Sequence, residues 1–414
     1  MAPREPAPTE PVSTEAIPRL NHPAIAALGM VTVCCYGTWY YAFGVLLDPI
    51  LADSGWRETW LSSSFSAGMI LIGLGSMFGG RLLDRSGPRA VFGLAATLAA
   101  FGLGSASVTT HPLVFGAGAA LGMGALGALG FYHVTMATVV RLHPDNAHRA
   151  IAMLTIWGAF SSPIYLPLAA WLNNEFGWRV TVRLLLGSAI AALIAAIIVV
   201  PNEGAPSNEQ RPTIRAVAAA ATARGNARAF IVAIALVGVA TSVILSYQVP
   251  VMVAAGLPLT TASAAAGARG FCQLGGRLPL GWIVGRIGTR RALFVALWAI
   301  VAGSIVLAFS STLATALVFA VVVGFGIGAF SPLQGMRSAE LYDRASLGAT
   351  MGFQSTIGQL VGAVGPLASG IVAEATGDRR FVVPIAAVCA LGAIAVLRFP
   401  GFLHTRFVRR GYAA

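Results

Sequence analysis

Two arginines, Arg269 and Arg277, stand eight residues apart in a stretch otherwise rich in Ala, Gly, Leu and Phe, with Gln273 midway between them. Four-residue steps bring all three to one side of a helix. A charge inside an apolar span costs about 2.5–3.5 kcal/mol on insertion scales, so it needs either a counter-charge or a use. No Asp or Glu falls deep in any apolar stretch of this chain. An anion entering from water supplies what is missing, because a planar guanidinium grips a carboxylate through two parallel hydrogen bonds. The competing reading puts Arg277 on backbone carbonyls at a gate and lets Arg269 snorkel outward.

Other candidates surround this pair. His133, beside Tyr132 in a glycine-rich stretch, has the one side chain whose ordinary pKa suits proton coupling near neutrality; the plain alternative is a packed histidine with one nitrogen satisfied. Tyr36, Trp39, Tyr40 and Phe43 recur at helical spacing and could wall a central cavity, with the hydroxyls of Tyr36 and Tyr40 reaching a carboxylate. An interfacial aromatic belt is the rival for these rings. Tyr247 and Gln248, then Gln354, Ser355 and Gln359, offer further cavity polarity. Ser161, Ser162, Pro163 and Pro167 would weaken a helical ladder, which membranes tolerate mainly beside a cavity.

Several chemistries are absent from the pattern. The four cysteines, Cys34, Cys35, Cys272 and Cys389, all fall in apolar stretches and show no metal-ligand spacing, so they read as small buried residues. No phosphate-binding P-loop and no nucleophile–base arrangement is found, so neither ATP-driven work nor catalysis is expected, and no cofactor or metal. The net charge of +12 comes from arginines that stand singly or in pairs between apolar runs. They form no continuous basic face, which argues against a nucleic-acid partner.

The elements that must position these residues are membrane spans. Hydrophobic residues make up 57% of the 414 and charged ones 10%, against roughly 25% charged in a soluble domain. Apolar runs predict twelve spans, at 24–50, 60–83, 90–109, 112–140, 147–172, 180–200, 228–254, 260–284, 291–310, 312–336, 346–375 and 381–400. Residues 1–22, rich in Pro, Glu and Thr, read as a disordered tail. No short h-region with a cleavage site precedes the first span, which is expected to be retained. Alternate short loops differ sharply in arginine. One side carries Arg85, Arg89, Arg141, Arg149, Arg211, Arg215, Arg224, Arg228, Arg286, Arg290, Arg291, Arg337, Arg344, Arg406, Arg409 and Arg410. The other carries Arg57, Arg179, Arg183, Arg379 and Arg380. Arginine marks the cytoplasmic side, so both termini and the central loop are placed there, in an inner cell membrane.

Gly80-Arg81-Leu82-Leu83-Asp84-Arg85-Ser86-Gly87-Pro88-Arg89 returns about two hundred residues later as Gly281-Trp282-Ile283-Val284-Gly285-Arg286-Ile287-Gly288-Thr289-Arg290-Arg291, with Gly285 in the place of Asp84. Gly122-x-Gly124 is answered by Gly324-x-Gly326 at a similar offset. A repeat of half the chain implies two similar halves. With twelve spans, a six-plus-six repeat and this hinge after the second span, the chain resembles the major facilitator superfamily over its whole ordered length. Phe43-Gly44-Val45, Ser54-Gly55-Trp56-Arg57, Arg149-Ala150-Ile151-Ala152, Phe176-Gly177-Trp178-Arg179 and Gly276-Arg277 resemble its monocarboxylate and oxalate/formate branch. Gln273 stands where that branch commonly has an Asp, and the lysine often found in its first or eleventh span is missing.

The resemblance implies an all-α membrane protein: an N-terminal bundle at 23–201, a linker at 202–227, a C-terminal bundle at 228–401 and a basic tail at 402–414. Gly80, Asp84, Arg85, Gly87, Arg89, Gly281, Arg286, Gly288 and Arg290 would form a gating motif, with Asp84 facing the start of span eleven, where a helix dipole favours a carboxylate. The expected function is secondary transport of a small organic anion, a monocarboxylate, by a monomer working through alternating access. Coupling would be to protons or to a second anion. An exporter of apolar compounds and a non-transporting membrane receptor are the alternatives. The arginine pair argues against cationic drugs.

Overall fold

The structure, a computed structural model, describes residues 21–202, 214–342 and 344–400, with the side chains at 148, 214, 216, 220 and 344–349 excepted. The expected tail over 1–20, Arg211 in the linker, and Arg406, Arg409 and Arg410 lie outside the described residues, as does the side chain of Arg344. Span one begins at His22, inside the tail drawn to residue 22, and the Asn21 side chain caps it by accepting from the Ala24 N–H at 3.1 Å. A short helix, Ile214–Thr222, occupies part of the expected linker, and span seven starts at Gly225.

Every described element is helical. Among the described residues nine helices are long and apolar enough to cross a membrane, fewer than the twelve expected. The shortfall has a physical cause. Glu58–Val108 and Arg149–Val199 each run 51 residues, about 77 Å at 1.5 Å per residue and far more than a ~30 Å hydrocarbon core needs. Each turns back at one glycine with positive φ, Gly87 (φ 74°) and Gly177 (φ 74°), so each holds two spans. Span eight, Leu259–Arg277, is not among the nine, and it is the segment that carries the arginine pair.

The two halves repeat at the level of backbone conformation. Among the described residues six glycines have positive φ, and they form three pairs: Gly55 with Gly256, Gly87 with Gly288, and Gly177 with Gly377, 201, 201 and 200 residues apart. L-residues with a Cβ rarely adopt this region, so only glycine turns the chain there cheaply. The Gly122/Gly324 echo also has a structural meaning. A Cβ on Gly122 or Gly326 would press on spans three or nine, at Leu103 and Ile300. One on Gly124 or Gly324 would press on spans two or eight, at Leu71 and Cys272.

Four spans are interrupted where the candidate site lies. Span one winds into a π-helical turn over Tyr36–Tyr41. Span four breaks at Phe131 (φ −79°, ψ 177°) and span five at Phe160, three residues before Pro163. Span eleven breaks at Ala363. There Pro366 has no N–H for the Gly362 carbonyl, and the Ser242 hydroxyl of span seven donates to that oxygen instead, at 2.6 Å.

Among the described residues, the ion pairs between the halves gather at one end. Spans one and two present Asp48, Arg57, Glu58, Thr59 and Ser62 to Tyr247, Glu374 and Arg379 of the second half. Arg57 pairs with Glu374 at 2.6 Å, and Glu374 also accepts from the Thr59 N–H and hydroxyl. Arg379 bridges Asp48 and Glu58 at once. Gly44 lies so close to span seven that a Cβ would come within 2.6 Å of the Ser246 carbonyl. We call this the gate end and the opposite one, with Asp84 and Arg286, the hinge end.

Candidate functional site

Span eight enters from the gate end at Leu259, so Arg269 lies ten residues in, about 15 Å and half a hydrocarbon core. Gly267 and Gly270 flank it and let the helix press on span five: a Cβ at Gly270 would sit 2.7 Å from a Pro163 ring carbon. The Arg269 side chain is fully buried. Its Nε donates to Gln248 Oε1 of span seven at 3.0 Å. Its two terminal nitrogens, and the Gln248 side-chain nitrogen beside them, meet no acceptor among the described residues. A buried guanidinium without its counter-charge is among the costliest arrangements a protein holds.

Arg277, eight residues further toward the hinge end, is half-buried, and its Nη2 donates to Gln273 Oε1 at 3.4 Å. Among the described residues neither Arg269 nor Arg277 takes part in an ion pair. The tyrosines of the broken spans come to meet the pair. The Tyr41 hydroxyl faces Arg269 and the Tyr132 hydroxyl faces Arg277. Tyr36 stacks on Phe131 with centroids 3.6 Å apart, and Tyr40 meets Tyr36, Tyr41 and Phe131 edge-on at 5.5–5.8 Å. The structure therefore brings together Arg269, Gln273, Arg277, Tyr36 and Tyr40.

Three expected site residues stand elsewhere. Tyr247 is buried at the gate, its hydroxyl 2.7 Å from Ser62 Oγ, so it joins the two halves and is not part of the central group. Gln359 lies against span two beside Gly73. The His133 Nε2 is 2.8 Å from the Ala128 carbonyl. That oxygen is one of those released where span four breaks, so the ring nitrogen takes over a lost helical bond. We expect His133→Gln, which can still donate to Ala128, to keep transport and its pH dependence within two-fold of the parent. A flattened pH profile in proteoliposome uptake would return the coupling role to His133.

Tyr41, Phe131 and Gln248 were missed or underweighted by spacing alone. The π turn carries one residue more per turn than an α-helix, which swings Tyr41 onto the face that Tyr36 and Tyr40 share.

At the hinge end, Asp84 pairs with Arg141 at the foot of span four, and Arg141 also donates to the Leu83 carbonyl at 3.0 Å. The start of span eleven, which Asp84 was expected to face, has side chains outside the described ones. Gly87 and Gly288 make the turns, and the Arg89 N–H donates to Asn202 Oδ1 at 3.2 Å. Around Gly80 and Gly281 an added Cβ would meet open space. Arg85 is exposed, and Arg286 lies over the Trp282 ring at 4.3 Å. Arg290 lines a separate cleft of about 120 Å³ with Asn226, Phe230, Arg337 and Leu397. We expect Asp84→Asn and Arg141→Gln each to cost about 1–3 kcal/mol by stranding a partner, with the double variant costing less than the sum of the two. Thermal unfolding in detergent reads this, and full additivity would contradict the pairing.

The family model described as Major Facilitator Superfamily matches residues 28–366 and 230–409. Among curated proteins, the Transcription regulatory protein OpdE of Pseudomonas aeruginosa is 30% identical over 151 residues. That match covers 36% of this chain and 37% of that protein, so the chain spans little more than a third of the length of the curated relative it matches. Solved structures are similar over nearly the whole chain. A point mutant of the nucleoside transporter NupG superposes with a TM-score of 0.77 at 15% identity, covering 91% of this chain and 98% of that one. The D-xylose-proton symporter gives 0.70 at 17%, covering 91% and 96%. A POT family transporter in complex with 5-aminolevulinic acid gives 0.71 at 13%, covering 92% and 96%. At these identities the likeness is one of fold.

Proposed function

The chain belongs to the major facilitator superfamily, and from that premise we propose that it is a secondary transporter that carries a small organic anion, a monocarboxylate, by alternating access. The observation that carries this reading is the buried Arg269, whose two terminal nitrogens make no hydrogen bond among the described residues while Gln248 holds its Nε. A carboxylate answers that geometry oxygen for nitrogen, and it discharges a buried cation that has no ion-pair partner among the described residues. Arg269 is the anchor in this reading. Arg277 and Gln273 form a second station nearer the hinge end, and Tyr36 and Tyr40 wall the passage.

The halves, 23–201 and 228–401, rock about this site. With the gate end held by Arg379 and Glu374, the structure corresponds to a state closed there. The arginine count of the loops supports a hinge end on the cytoplasmic side, and in this reading the protein works as a monomer in an inner membrane. With His133 committed to a backbone carbonyl, either anion exchange or the substrate's own proton fits better than a histidine relay.

The test is uptake of labelled lactate, pyruvate, oxalate and benzoate into proteoliposomes, with and without an inward proton gradient or preloaded anion. Gradient-driven uptake means symport and uptake only against preloaded anion means exchange. No uptake of any acid by folded protein would sink the carboxylate reading.

A further inference from the structure

The surroundings of Arg269 say what the rest of the substrate looks like, if the carboxylate reading holds. Tyr40 and Tyr41 of one π-helical turn face the arginines, Tyr132 from the break in span four faces Arg277, and Tyr36 and Phe131 stack beside them. Phe65 of span two closes the group at 5.8 Å from Tyr40. Such a cage of rings would suit a cation, but Arg269 and Arg277 stand at its edge and exclude one. A short aliphatic acid would leave most of these faces without a partner.

The spacing of the rings is graded. Tyr36 lies against Phe131 at 3.6 Å and 9° from parallel, a closed stack. Tyr36 and Tyr41 are also near parallel, at 27°, but their centroids are 5.9 Å apart. A flat ring in van der Waals contact with both needs about 7 Å, two layers of ~3.5 Å each. A movement of roughly 1 Å by Tyr41 would open such a slot. Tyr41 is half-buried, and its hydroxyl already faces Arg269. The slot and the anchor are thus adjacent, as the ring and carboxylate of one molecule would be.

We propose that the substrate is a planar aromatic monocarboxylate, its carboxylate on Arg269 and Gln248 and its ring between Tyr36 and Tyr41. Tyr40 packs edge-on against both rings of the slot, with centroids 5.8 Å from Tyr36 and 5.5 Å from Tyr41.

Thermal-shift titration of the purified full-length protein tests this with four probes: benzoate, cyclohexanecarboxylate, pyruvate and benzamide. Benzoate should half-saturate at a concentration at least ten-fold lower than cyclohexanecarboxylate, which has the same carboxylate and similar bulk but no flat face. Pyruvate should be weaker still, and benzamide should not bind. Tyr36→Leu and Tyr41→Leu should level the two cyclic acids, while Tyr36→Phe and Tyr41→Phe, which keep the ring, should preserve the preference. Equal binding of benzoate, cyclohexanecarboxylate and pyruvate would overturn the aromatic assignment and leave the carboxylate reading standing. Binding of benzamide as tight as benzoate, or binding of none of the acids, would overturn both.

Discussion

Replacing Arg269 with methionine should abolish carboxylate uptake and, in the same protein, raise its thermal stability. The two effects come from one fact: among the described residues the buried guanidinium has a single hydrogen bond, to Gln248, and no ion-pair partner. An apolar side chain of similar length removes an uncompensated charge from the core, and exchanges of that kind are often neutral or stabilising by about 1–4 kcal/mol. Losing the partner of a buried charged hydrogen bond costs a bound anion about 2–5 kcal/mol, or roughly 30- to several thousand-fold in affinity. A structural arginine would behave the opposite way, because its removal would lower stability and leave uptake in proportion to the protein that folds. Uptake and melting temperature measured on the same preparation separate the two. Arg269→Lys should rescue poorly, since a point charge cannot present two parallel donors.

Arg379→Gln should unlock the gate end. This arginine bridges Asp48 and Glu58, from spans one and two, and its side chain is 18% exposed against 12% for Glu58. Removing it leaves two carboxylates facing each other in a mostly dry place, and breaking a buried pair in this way costs about 3–5 kcal/mol. The closed state loses that energy. An open state, where water reaches all three groups, does not. A shift of 3 kcal/mol changes a two-state ratio by about a hundred-fold. Ser62, hydrogen-bonded to Tyr247 beneath the gate, reports it. With the four native cysteines replaced by serine, maleimide labelling of Ser62→Cys should rise by at least ten-fold in the Arg379→Gln background. Unchanged labelling would mean that Glu374 and the glycine contacts hold the gate without Arg379.

Much of this architecture was legible in the residues, for reasons that can be stated. Span limits follow from the contrast between apolar runs and polar turns, and the hinge repeat marked Gly87 and Gly288, which share one unusual backbone conformation. Depth within a span was harder. Tyr247 reads as a cavity residue by composition, yet it lies seven residues before Ala254 at the gate end of its helix, about 10 Å from that end. Counting from the loop would have placed it. Likewise Arg269 sits half-way down its helix and Arg277 in the last turn, which is why the proposed anchor is Arg269.

What the residues could not reveal is how the helices depart from regularity. Pro163 and Pro366 announce the breaks at Phe160 and Ala363, because a missing N–H frees a carbonyl upstream. No such signal precedes the π turn at Tyr36–Tyr41 or the break at Phe131. Both depend on tertiary packing, as where Tyr36 stacks on Phe131. Those irregular turns place Tyr41 and Tyr132 against the arginines, and they are why spacing alone found only part of the aromatic wall.

Equilibrium binding of a carboxylate to the purified protein, followed by titration calorimetry for the parent and for Arg269→Met side by side, tests the central claim most directly. It needs no assumption about coupling or direction. The account predicts saturable binding at one site per chain in the parent and none in the variant, with the variant folded and at least as heat-stable. Equal binding in the two proteins would contradict it and remove Arg269 from the transport pathway.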